Sequence, residues 1–241
     1  WMCRRLWKLR GSQGVAVKKP RFPINTGHLE KAARILKPYT RLVWVMGGSC
    51  SGKSRVCAHI SQDLTVPVYD MDARIFGSYF DQYDQERHAA TCEWFHQENG
   101  LDWVLSLSWT EFDGLNAAVA AEYLDLFADE VSSADSSNVL VVDGGLARPS
   151  VLAGVIQPAQ IVYLQRDEIA RASEWESNET RLEMKRMILE LNSGAQKWRR
   201  FLEFDKLMTQ RMREESEASG ARIISVDEGM PASDLARKVL G

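Results

Sequence analysis

The residues with the clearest chemical potential form a run of small residues, "MGGSCSGKS" at 46–54. Gly47 and Gly52 enclose four residues, and Lys53 and Ser54 follow directly, which completes the Walker A pattern G-x-x-x-x-G-K-S. Glycine permits backbone angles and close approaches that a Cβ would prevent. Successive N–H groups can then surround phosphate oxygens, while Lys53 reaches the terminal phosphates and Ser54 binds Mg²⁺. The predicted phosphate-binding residues are Gly47, Gly48, Ser49, Cys50, Ser51, Gly52, Lys53 and Ser54.

An aspartate at the end of a later apolar run is a candidate magnesium ligand. The segment "NVLVVDGG" places Asp143 after four apolar residues, as in a Walker B strand, whose carboxylate holds Mg²⁺ directly or through water. The next residue is Gly144, where motor ATPases of the AAA+, transporter and helicase types usually carry a glutamate. The sequence also lacks the guanine-specifying N-K-x-D. Motor ATPases and GTPases are therefore disfavoured.

Two further acids, Asp70 and Asp72, follow the second apolar run in "VYDMDARIFGSY". Ligands of parallel sheets bind at the carboxyl ends of the strands, so we expect both acids beside the phosphate loop. Phosphoryl transfer to a hydroxyl needs a carboxylate that orients the acceptor and takes its proton, and a metal that holds the β and γ phosphates. We predict that Asp70 and Asp72 divide these tasks. In the alternative, one acid caps a helix near Ala73 and the other is solvated.

Five short apolar runs are predicted to be the strands that position these residues. Most are apolar throughout, as expected for strands that helices cover on both faces. Longer helical stretches separate them, which implies βαβ units and a mainly parallel sheet. The predicted strands are 41–46, 65–69, 138–142, 160–164 and 221–226.

The interval between the second and third strands is too long for one crossover. We predict a helical insertion over about 77–130 that lies over the carboxyl edge of the sheet. Its last helix has apolar residues at helical spacing on one face: Leu115, Val119, Tyr123, Leu124 and Phe127. The insertion is rich in aromatic residues, which we interpret as its core, with a pocket for a ring-bearing acceptor as the alternative. His88 and His96 accompany them without an evident set of metal partners.

Composition limits the possible partners of the chain. Its 241 residues are 45% hydrophobic and 26% charged, which is typical of a globular protein with a substantial core. A net charge of −3 gives no support to nucleic acid or an anionic membrane as a partner. No apolar stretch is long enough to cross a bilayer. The four cysteines lack zinc-ligand spacing, so we expect free thiols in a reducing, cytoplasmic compartment.

The beginning of the sequence differs from the rest in charge. Residues 1–24 are basic and contain no acidic residue. We predict a flexible arm there, with a targeting segment and a nucleic-acid contact as alternatives. A single domain over 25–241 should follow, beginning with a short helix that Asn25 or Thr26 caps.

Together these motifs resemble the P-loop small-molecule kinases, a group that includes shikimate, gluconate and nucleoside monophosphate kinases. The resemblance covers about 41–241 and rests on "GGSCSGKS", Asp70-x-Asp72, "VVDGG" and a basic lid over about 165–200. It implies a P-loop NTPase fold of the α/β class, a three-layer α/β/α arrangement with a mainly parallel five-stranded sheet, a helical insertion and a helical lid. It also implies ATP and Mg²⁺ as cofactors.

The same resemblance implies an acceptor site. In shikimate kinases a D-x-D serves the metal and the acceptor hydroxyl, and a glycine-rich turn after the third strand contacts the acceptor. Asp70, Asp72, Gly144 and Gly145 match these features. Arg74, just after the acid pair, is our candidate anchor for a phosphate or carboxylate of the acceptor.

Lids of this family close over ATP and contribute arginines that stabilise the transferring phosphoryl group. The candidates nearest the fourth strand are Arg166 and Arg171. Arg181, Lys185 and Arg186 lie further along the lid, which lacks the R-P-L run of shikimate kinases. Related kinases contact adenine through the connection after the last strand, so Asp227 in "SVDEG" is a predicted nucleotide contact.

The function predicted from these residues is an ATP- and Mg²⁺-dependent kinase for a hydroxyl or phosphate group of a small metabolite. A zeta-toxin-like or polynucleotide-type kinase is an alternative, since both also place an acid and an arginine after the second strand. The weakly acidic charge gives nucleic acid no support. A non-catalytic, ATP-binding regulatory module is the third possibility. The predicted partner is therefore a small-molecule phosphoryl acceptor, with no membrane involved.

Overall fold

A parallel β-sheet forms the centre of the protein. In the computed structural model, the described residues are 22–134, 138–167, 175 and 179–241. Within them the sheet has the strand order β2-β3-β1-β4-β5, and every neighbouring pair is parallel. The strands are β1 (Leu42–Met46), β2 (Val68–Asp70), β3 (Leu140–Asp143), β4 (Ile161–Gln165) and β5 (Arg222–Ser225). All five predicted strands are confirmed, with small shifts at their ends.

Helices fill the intervals between the strands. Over the described ranges they are α1 (Thr26–Leu36), α2 (Lys53–Gln62), α3 (Met71–Ala73), α4 (Ala89–Phe95), α5 (Gly100–Val104), α6 (Trp109–Val131), α7 (Pro149–Ala153), α8 (Glu179–Leu189), α9 (Gly194–Ser219) and α10 (Ala232–Leu240). A π-helical turn (Arg74–Ser78) continues α3, and 3₁₀ turns occupy Phe80–Gln82 and Pro158–Gln160. The Asn25 side chain accepts a hydrogen bond from the Gly27 N–H at 3.0 Å, so the predicted cap of the first helix is confirmed.

Both faces of the sheet are covered, because alternate strand residues point to opposite sides. Trp44 and Met46 of β1 pack in a core with α1, α6 and α7, whereas Val45 packs in a second core with α2 and α10. This explains why the strands are apolar throughout rather than alternating. The predicted α/β class, with three layers and a helical insertion after β2, is confirmed.

The last helix of the insertion, α6, is buried on nearly all sides. A capping box between Ser108 and Glu111 fixes its beginning, and its predicted apolar face is buried: Leu115, Val119, Tyr123, Leu124 and Phe127. Two acids of α6, Glu122 and Asp125, are buried as well. Glu122 accepts hydrogen bonds from the N–H groups of Ala90 at 2.9 Å and Thr91 at 2.8 Å, so it caps α4. The apolar pattern alone did not reveal these contacts.

The aromatic residues of the insertion pack mainly against one another. Phe80 stacks on Phe95 with ring centroids 5.5 Å apart, and Phe76 meets Trp94 edge to face at 6.2 Å. Trp94 and Phe95 are buried in the larger core. The interpretation of these residues as the core of the insertion is confirmed by this packing.

Asp125 of the insertion contacts four charged or polar groups, two from the first helix and two from the insertion itself. Lys31 Nζ lies 2.8 Å from its Oδ1, and an Arg87 nitrogen lies 2.6 Å from its Oδ2. The rings of His28 and His88 lie 3.3 Å and 3.2 Å from the same two oxygens. Burial opposes ionisation of Asp125, but hydrogen bonds from His88 and Lys31 outweigh burial and hold the pKa of Asp125 below its ordinary value.

His28, His88 and Asp125 have the composition of a metal site, and their ligand atoms lie within 4.8 Å of one another. The protons of His88 argue against that role. In His28, Nε2 lies 2.7 Å from the Arg87 carbonyl, which only accepts hydrogen bonds, so this nitrogen carries hydrogen and only Nδ1 keeps a lone pair. His88 Nδ1 accepts from the Asp84 N–H, which leaves its Nε2–H to donate to Asp125. Because ligation needs a free nitrogen lone pair, we interpret the cluster as a structural link.

The structure also bears on the predictions about membrane spans, cysteines and the N-terminal arm. No helix of the described ranges is long and apolar enough to cross a membrane. Cys50, Cys57 and Cys92, the cysteines that fall within those ranges, are free thiols as predicted. The predicted arm over 1–24 lies outside the described residues except for its last three positions.

We predict that Asp125→Asn lowers the free energy of unfolding by about 3 kcal/mol at pH 7, the usual scale for breaking a buried ion pair. The amide removes the charge that Lys31 and Arg87 neutralise, and its NH₂ group faces donors. Urea unfolding measures the change, with Asp129→Asn as the control, because Asp129 contacts the same two cations but its side chain is 46% exposed. The pKa of Asp125 is lowered from 3.8 in the folded protein. The difference in free energy of unfolding between the variant and the wild type should therefore shrink once the pH is below 3.8 and disappear as the pH falls through the lowered pKa. Equal losses for the two variants at pH 7 would contradict this interpretation.

Candidate phosphate-binding and acceptor site

The predicted phosphate loop connects β1 to the first residue of α2. Gly47 has φ 152° and Gly52 has φ 95°, values that residues with a side chain rarely adopt. A Cβ at Gly47 would also lie 2.6 Å from Ser51 Oγ and 2.7 Å from the Leu164 carbonyl oxygen. Both glycines of the motif are therefore required by the backbone path, and the predicted strand–loop–helix context is present.

Lys53 lies over the loop from the first turn of α2. Its Nζ donates hydrogen bonds to the carbonyl oxygens of Gly47 at 2.7 Å and Gly48 at 3.2 Å. Ser51 is buried, and its hydroxyl has no hydrogen-bond partner among the described residues. An unpaired buried hydroxyl is uncommon and calls for a ligand or a water molecule. The loop thus offers both a cation and an unsatisfied polar group.

Three carboxylates gather close to Lys53. Asp70 and Asp143 are direct partners in the register of β2 and β3. A Cβ at Gly144 would lie 3.9 Å from Asp72 Oδ2 and 3.6 Å from Lys53 Cε, so Asp72 and Lys53 flank this glycine. The acid pair and the end of β3 therefore meet beside the loop, as the order of the strands requires.

The ionisation of these groups reflects their crowding. Burial raises the pKa of Asp143 to about 6, with Asp72 and Asp70 adding to the shift and Lys53 opposing it. Burial also raises the pKa of Asp72 from 3.8, again with help from Asp70 and against Lys53. Burial lowers the pKa of Lys53, and Arg181 adds to that shift while Asp143 and Asp72 oppose it. The site thus carries more negative than positive charge.

Asp72 is exposed to solvent, yet loss of hydration is the largest cause of its raised pKa. The Asp72 side chain is thus open to water while neighbouring protein removes part of its hydration. Asp70 is turned differently, since its Oδ1 accepts the Ala73 N–H at 2.9 Å and caps α3. The capping alternative therefore holds for Asp70, while Asp72 faces the loop and Gly144.

The oxygens beside the loop fit a magnesium ion. The carboxylates of Asp72 and Asp143 lie near the Lys53 ammonium, and Asp70 acts on both acids. Ser54 is exposed on the first turn of α2. Hard oxygen ligands are those that Mg²⁺ prefers. A divalent cation would offset the repulsion by Asp72 and Asp70 that adds to the effect of burial on the pKa of Asp143.

The two predicted acceptor glycines form a left-handed turn after β3. Gly144 and Gly145 have φ 62° and 74°, in the left-handed region that favours glycine. The Trp44 indole N–H donates to the Gly144 carbonyl at 2.9 Å. A Cβ at Gly145 would approach Met71 Cγ to 3.2 Å and Ile75 Cδ1 to 3.3 Å. The glycines thus allow α3, which carries Asp72, to pack directly against the end of β3.

Arg74 does not have the placement that the sequence analysis expected. Its Nε lies 2.9 Å from Glu130 Oε2, and its guanidinium lies 4.3 Å from the centre of the Tyr69 ring. The Tyr79 hydroxyl also donates to Glu130. These contacts occupy the guanidinium and argue against the predicted role of Arg74 as an anchor for the acceptor. The partner Glu130 is 56 residues away, so the local pattern gave no sign of it.

The lid arginines separate into different roles. Arg166, just after β4, donates to the Cys50 carbonyl at 3.1 Å and so holds the phosphate loop. Arg171 lies outside the described residues. Arg181 of α8 lies close enough to Lys53 and Asp72 to influence the pKa of both, and its guanidinium lies 4.8 Å from the centre of the Trp175 ring. Of the described lid arginines, Arg181 is the one whose charge acts on Asp72.

The connection after β5 runs close to the phosphate loop. A Cβ at Gly52 would lie 4.0 Å from Val226 Cγ1, and the Val226 N–H donates to the Gln165 carbonyl at 2.8 Å. Asp227 follows directly and is exposed. The predicted nucleotide contact at Asp227 is therefore next to a residue that touches the loop.

Comparison with known proteins gives limited information. Neither a family model nor a curated protein matches the chain. Among solved structures, the shikimate kinase from Aquifex aeolicus is similar over 82% of this chain and 93% of its own, with 19% identity and a TM-score of 0.41. We therefore base the proposal below on the residues of the site.

We predict that Asp143→Asn raises the free energy of unfolding by about 1.5 kcal/mol at pH 8, within the scale set by 1.4 kcal/mol per pKa unit. The raised pKa means that ionised Asp143 is unfavourable in the folded protein. The stability that the protonated carboxyl group contributes to the fold is therefore lost as the pH rises through about 6. The gain should shrink as the pH falls to about 4. Urea unfolding at several pH values measures it, with Asp81→Asn, at an exposed aspartate, as the control. A variant less stable than the wild type at pH 8 would contradict the crowding of these acids.

Proposed function

We propose that the protein is an ATP- and Mg²⁺-dependent phosphotransferase that acts on a hydroxyl or phosphate group of a small molecule. One observation carries this proposal. Lys53, at the phosphate loop, and Asp72, which is exposed to solvent, both lie within 4 Å of the position that a Cβ of Gly144 would take. A cation for the transferred phosphate and a carboxylate for its acceptor are thus close together, as transfer requires.

Nucleotide binding would use the loop backbone and the beginning of α2. The left-handed Gly52 precedes Lys53, so the first N–H groups of α2 are directed into the loop, where the positive end of the helix favours phosphate. The Lys53 ammonium donates hydrogen bonds to the carbonyl oxygens of Gly47 and Gly48, and phosphate oxygens would replace them with stronger, charge-assisted bonds. The ammonium would then oppose the charge of the terminal phosphates.

Magnesium would be held by Ser54 and Asp143, with Asp70 close to them across the β2–β3 register. When bound, the ion would neutralise charge on the β and γ phosphates. Asp143 must be ionised for this task, and its pKa of about 6 leaves it ionised at neutral pH. Asp70 keeps one oxygen for its helix cap, so its second oxygen is the one that remains for the ion or its water.

Asp72 would orient the acceptor and remove its proton. A general base works best when its pKa is close to the working pH, and burial moves the pKa of Asp72 in that direction. Gly144 and Gly145 bring the backbone close to the acceptor side of the site. We therefore expect the acceptor between the insertion and the sheet edge, with its reacting oxygen near Asp72 and in line with the γ-phosphate.

Charge that develops during transfer would be stabilised by the lid. Arg181 is the candidate that the described residues favour, because its charge already acts on both Lys53 and Asp72. Arg166 would act differently, by fixing the Cys50 carbonyl and thereby the loop. Arg171 remains a candidate from the sequence alone.

Assays of ATP consumption with panels of acceptors test this proposal. We expect ATP hydrolysis or transfer to rise with one member of a panel of hydroxylated and phosphorylated metabolites, and only when Mg²⁺ is present. Stimulation by an oligonucleotide or a UDP-sugar would instead favour the polynucleotide-type or zeta-toxin-like kinase. Tight ATP binding without turnover for any acceptor would favour the regulatory module.

We predict that Lys53→Ala weakens ATP binding at least tenfold, or about 1.4 kcal/mol, without lowering the free energy of unfolding. The lysine is placed over the loop and its ionised form is not favoured by burial, so the core does not depend on it. Calorimetry with ATP and urea unfolding measure the two effects. Lys238→Ala, at an exposed lysine of α10, is the control. A folded Lys53→Ala protein with unchanged ATP affinity would exclude the loop as the nucleotide site.

We predict that Asp72→Asn lowers kcat about 100-fold or more, the usual effect of losing a general base. Its ATP affinity should stay within about tenfold of the wild type, or 1.4 kcal/mol, because asparagine keeps the shape but cannot take the proton. Steady-state kinetics with the identified acceptor, together with ATP calorimetry, separate the two quantities. Glu98→Gln, at an exposed residue of the insertion, serves as the control. Turnover close to that of the wild type would remove Asp72 from the mechanism.

A further inference from the structure

Gly48 raises a question that the Walker A pattern does not answer. The pattern requires glycine at 47 and 52 but leaves 48 open. Unlike Gly47 and Gly52, Gly48 does not have a positive φ, so its backbone conformation is open to residues with a side chain. Glycine at this position must therefore have another physical reason.

That reason is the side chain of Thr209 on α9. A Cβ at Gly48 would lie 3.0 Å from Thr209 Cγ2 and 3.2 Å from Thr209 Cβ, and closer still to Oγ1. These separations are shorter than ordinary van der Waals contact, and all three atoms belong to a short, branched side chain that has little freedom to move. The space that a side chain at position 48 would need is thus filled by α9, 161 residues later in the sequence.

Contacts at Thr209 and at two earlier residues hold α9 in place. The Tyr163 hydroxyl of β4 donates to the Thr209 carbonyl at 3.2 Å. Four residues earlier, Asp205 accepts a hydrogen bond from the Trp175 indole at 3.4 Å, and Phe201 meets the Trp175 ring edge to face with centroids 5.0 Å apart. Residues at this spacing share one helix face. The face that touches the loop is therefore fixed to the sheet and to the lid.

We propose that Thr209 is a positioning residue for the phosphate loop: its side chain packs on Gly48 and fixes the backbone whose carbonyl Lys53 contacts. The consequence for nucleotide binding rests on the function proposed above. A displaced Gly48 would move its own N–H and those next to it away from the phosphate oxygens, since the loop acts through preorganised backbone groups.

A double-mutant cycle with ADP and Mg²⁺ as the probe tests the proposal. Gly48→Ala should weaken ADP binding about tenfold, which is 1.4 kcal/mol, because the added methyl group meets Thr209. Thr209→Ala removes the clashing atoms, so the variant with both substitutions should bind ADP within about threefold of Thr209→Ala alone, a coupling of the size found for residues in contact. Calorimetry gives the affinities. Thermal unfolding without nucleotide gives an independent measure of the same coupling.

Two control variants separate this effect from general damage. Gly114→Ala adds a methyl group where no atom lies within 4 Å, and Gln210→Ala changes an exposed residue next to Thr209. Neither should change ADP affinity. A merely structural role for Thr209 would lower the melting temperature of the variants but would not allow a second substitution to restore binding.

The possible outcomes distinguish this proposal from the proposed function. Equal ADP affinity of Gly48→Ala and the wild type would overturn the role of Thr209. A double variant as weak as Gly48→Ala would also overturn it, because the clash would then lie elsewhere. A wild type that does not bind ADP would contradict the proposed function. The melting temperatures of the cycle would then still test the Thr209–Gly48 contact. Additive changes in melting temperature would overturn the contact, and a melting temperature that Thr209→Ala restores in the Gly48→Ala protein would support it.

Discussion

The crowding of three carboxylates, two of them beside Lys53, is the constraint on which the rest of the structure depends. Asp70, Asp72 and Asp143 repel one another, and burial raises the pKa of Asp143 to about 6. Like charges are kept this close only if the backbone that carries them cannot relax. Here the left-handed turn after β3 and the tight packing of α3 against it supply that rigidity. The repulsion among the acids lowers the stability of the folded protein. A divalent cation bound beside them would offset it.

Each layer of the fold contributes to this rigidity. The parallel order of the sheet brings the ends of β1, β2 and β3 to one edge, and helices on both faces bury the central strands β1, β3 and β4. The insertion is held to α1 by the ion pair of Asp125 with Lys31, so its helices have a fixed base. On the other side, α9 connects Trp175, in the predicted lid segment, with the 47–54 loop. The loop and the acids beside it are thus supported from the sheet, the insertion and α9.

The sequence predicted what depends on local pattern and missed what depends on distant pairing. The Walker A pattern predicted the loop, and five apolar runs predicted the strands. The parallel order of these strands then predicted that Asp72 lies beside the loop. Arg74 was predicted to anchor the acceptor, whereas its guanidinium binds Glu130, 56 residues later, a pairing that local pattern cannot indicate. The contact of Thr209 with Gly48 was missed for the same reason. Among the lid arginines, spacing from β4 favoured Arg166 and Arg171, whereas the charge of Arg181 in α8 acts on Asp72.

A crystal structure with ADP, Mg²⁺ and aluminium fluoride would test the central claim most directly. This combination mimics a phosphoryl group in transfer, so it reports the loop, the metal and the acceptor side together. Our account predicts phosphates in the 47–54 loop, the Lys53 ammonium moved from the carbonyls of Gly47 and Gly48 onto phosphate oxygens, and the metal beside Ser54 and Asp143. Nucleotide bound at another surface, or Lys53 still on those carbonyls with the fluoride far from Asp72, would contradict it.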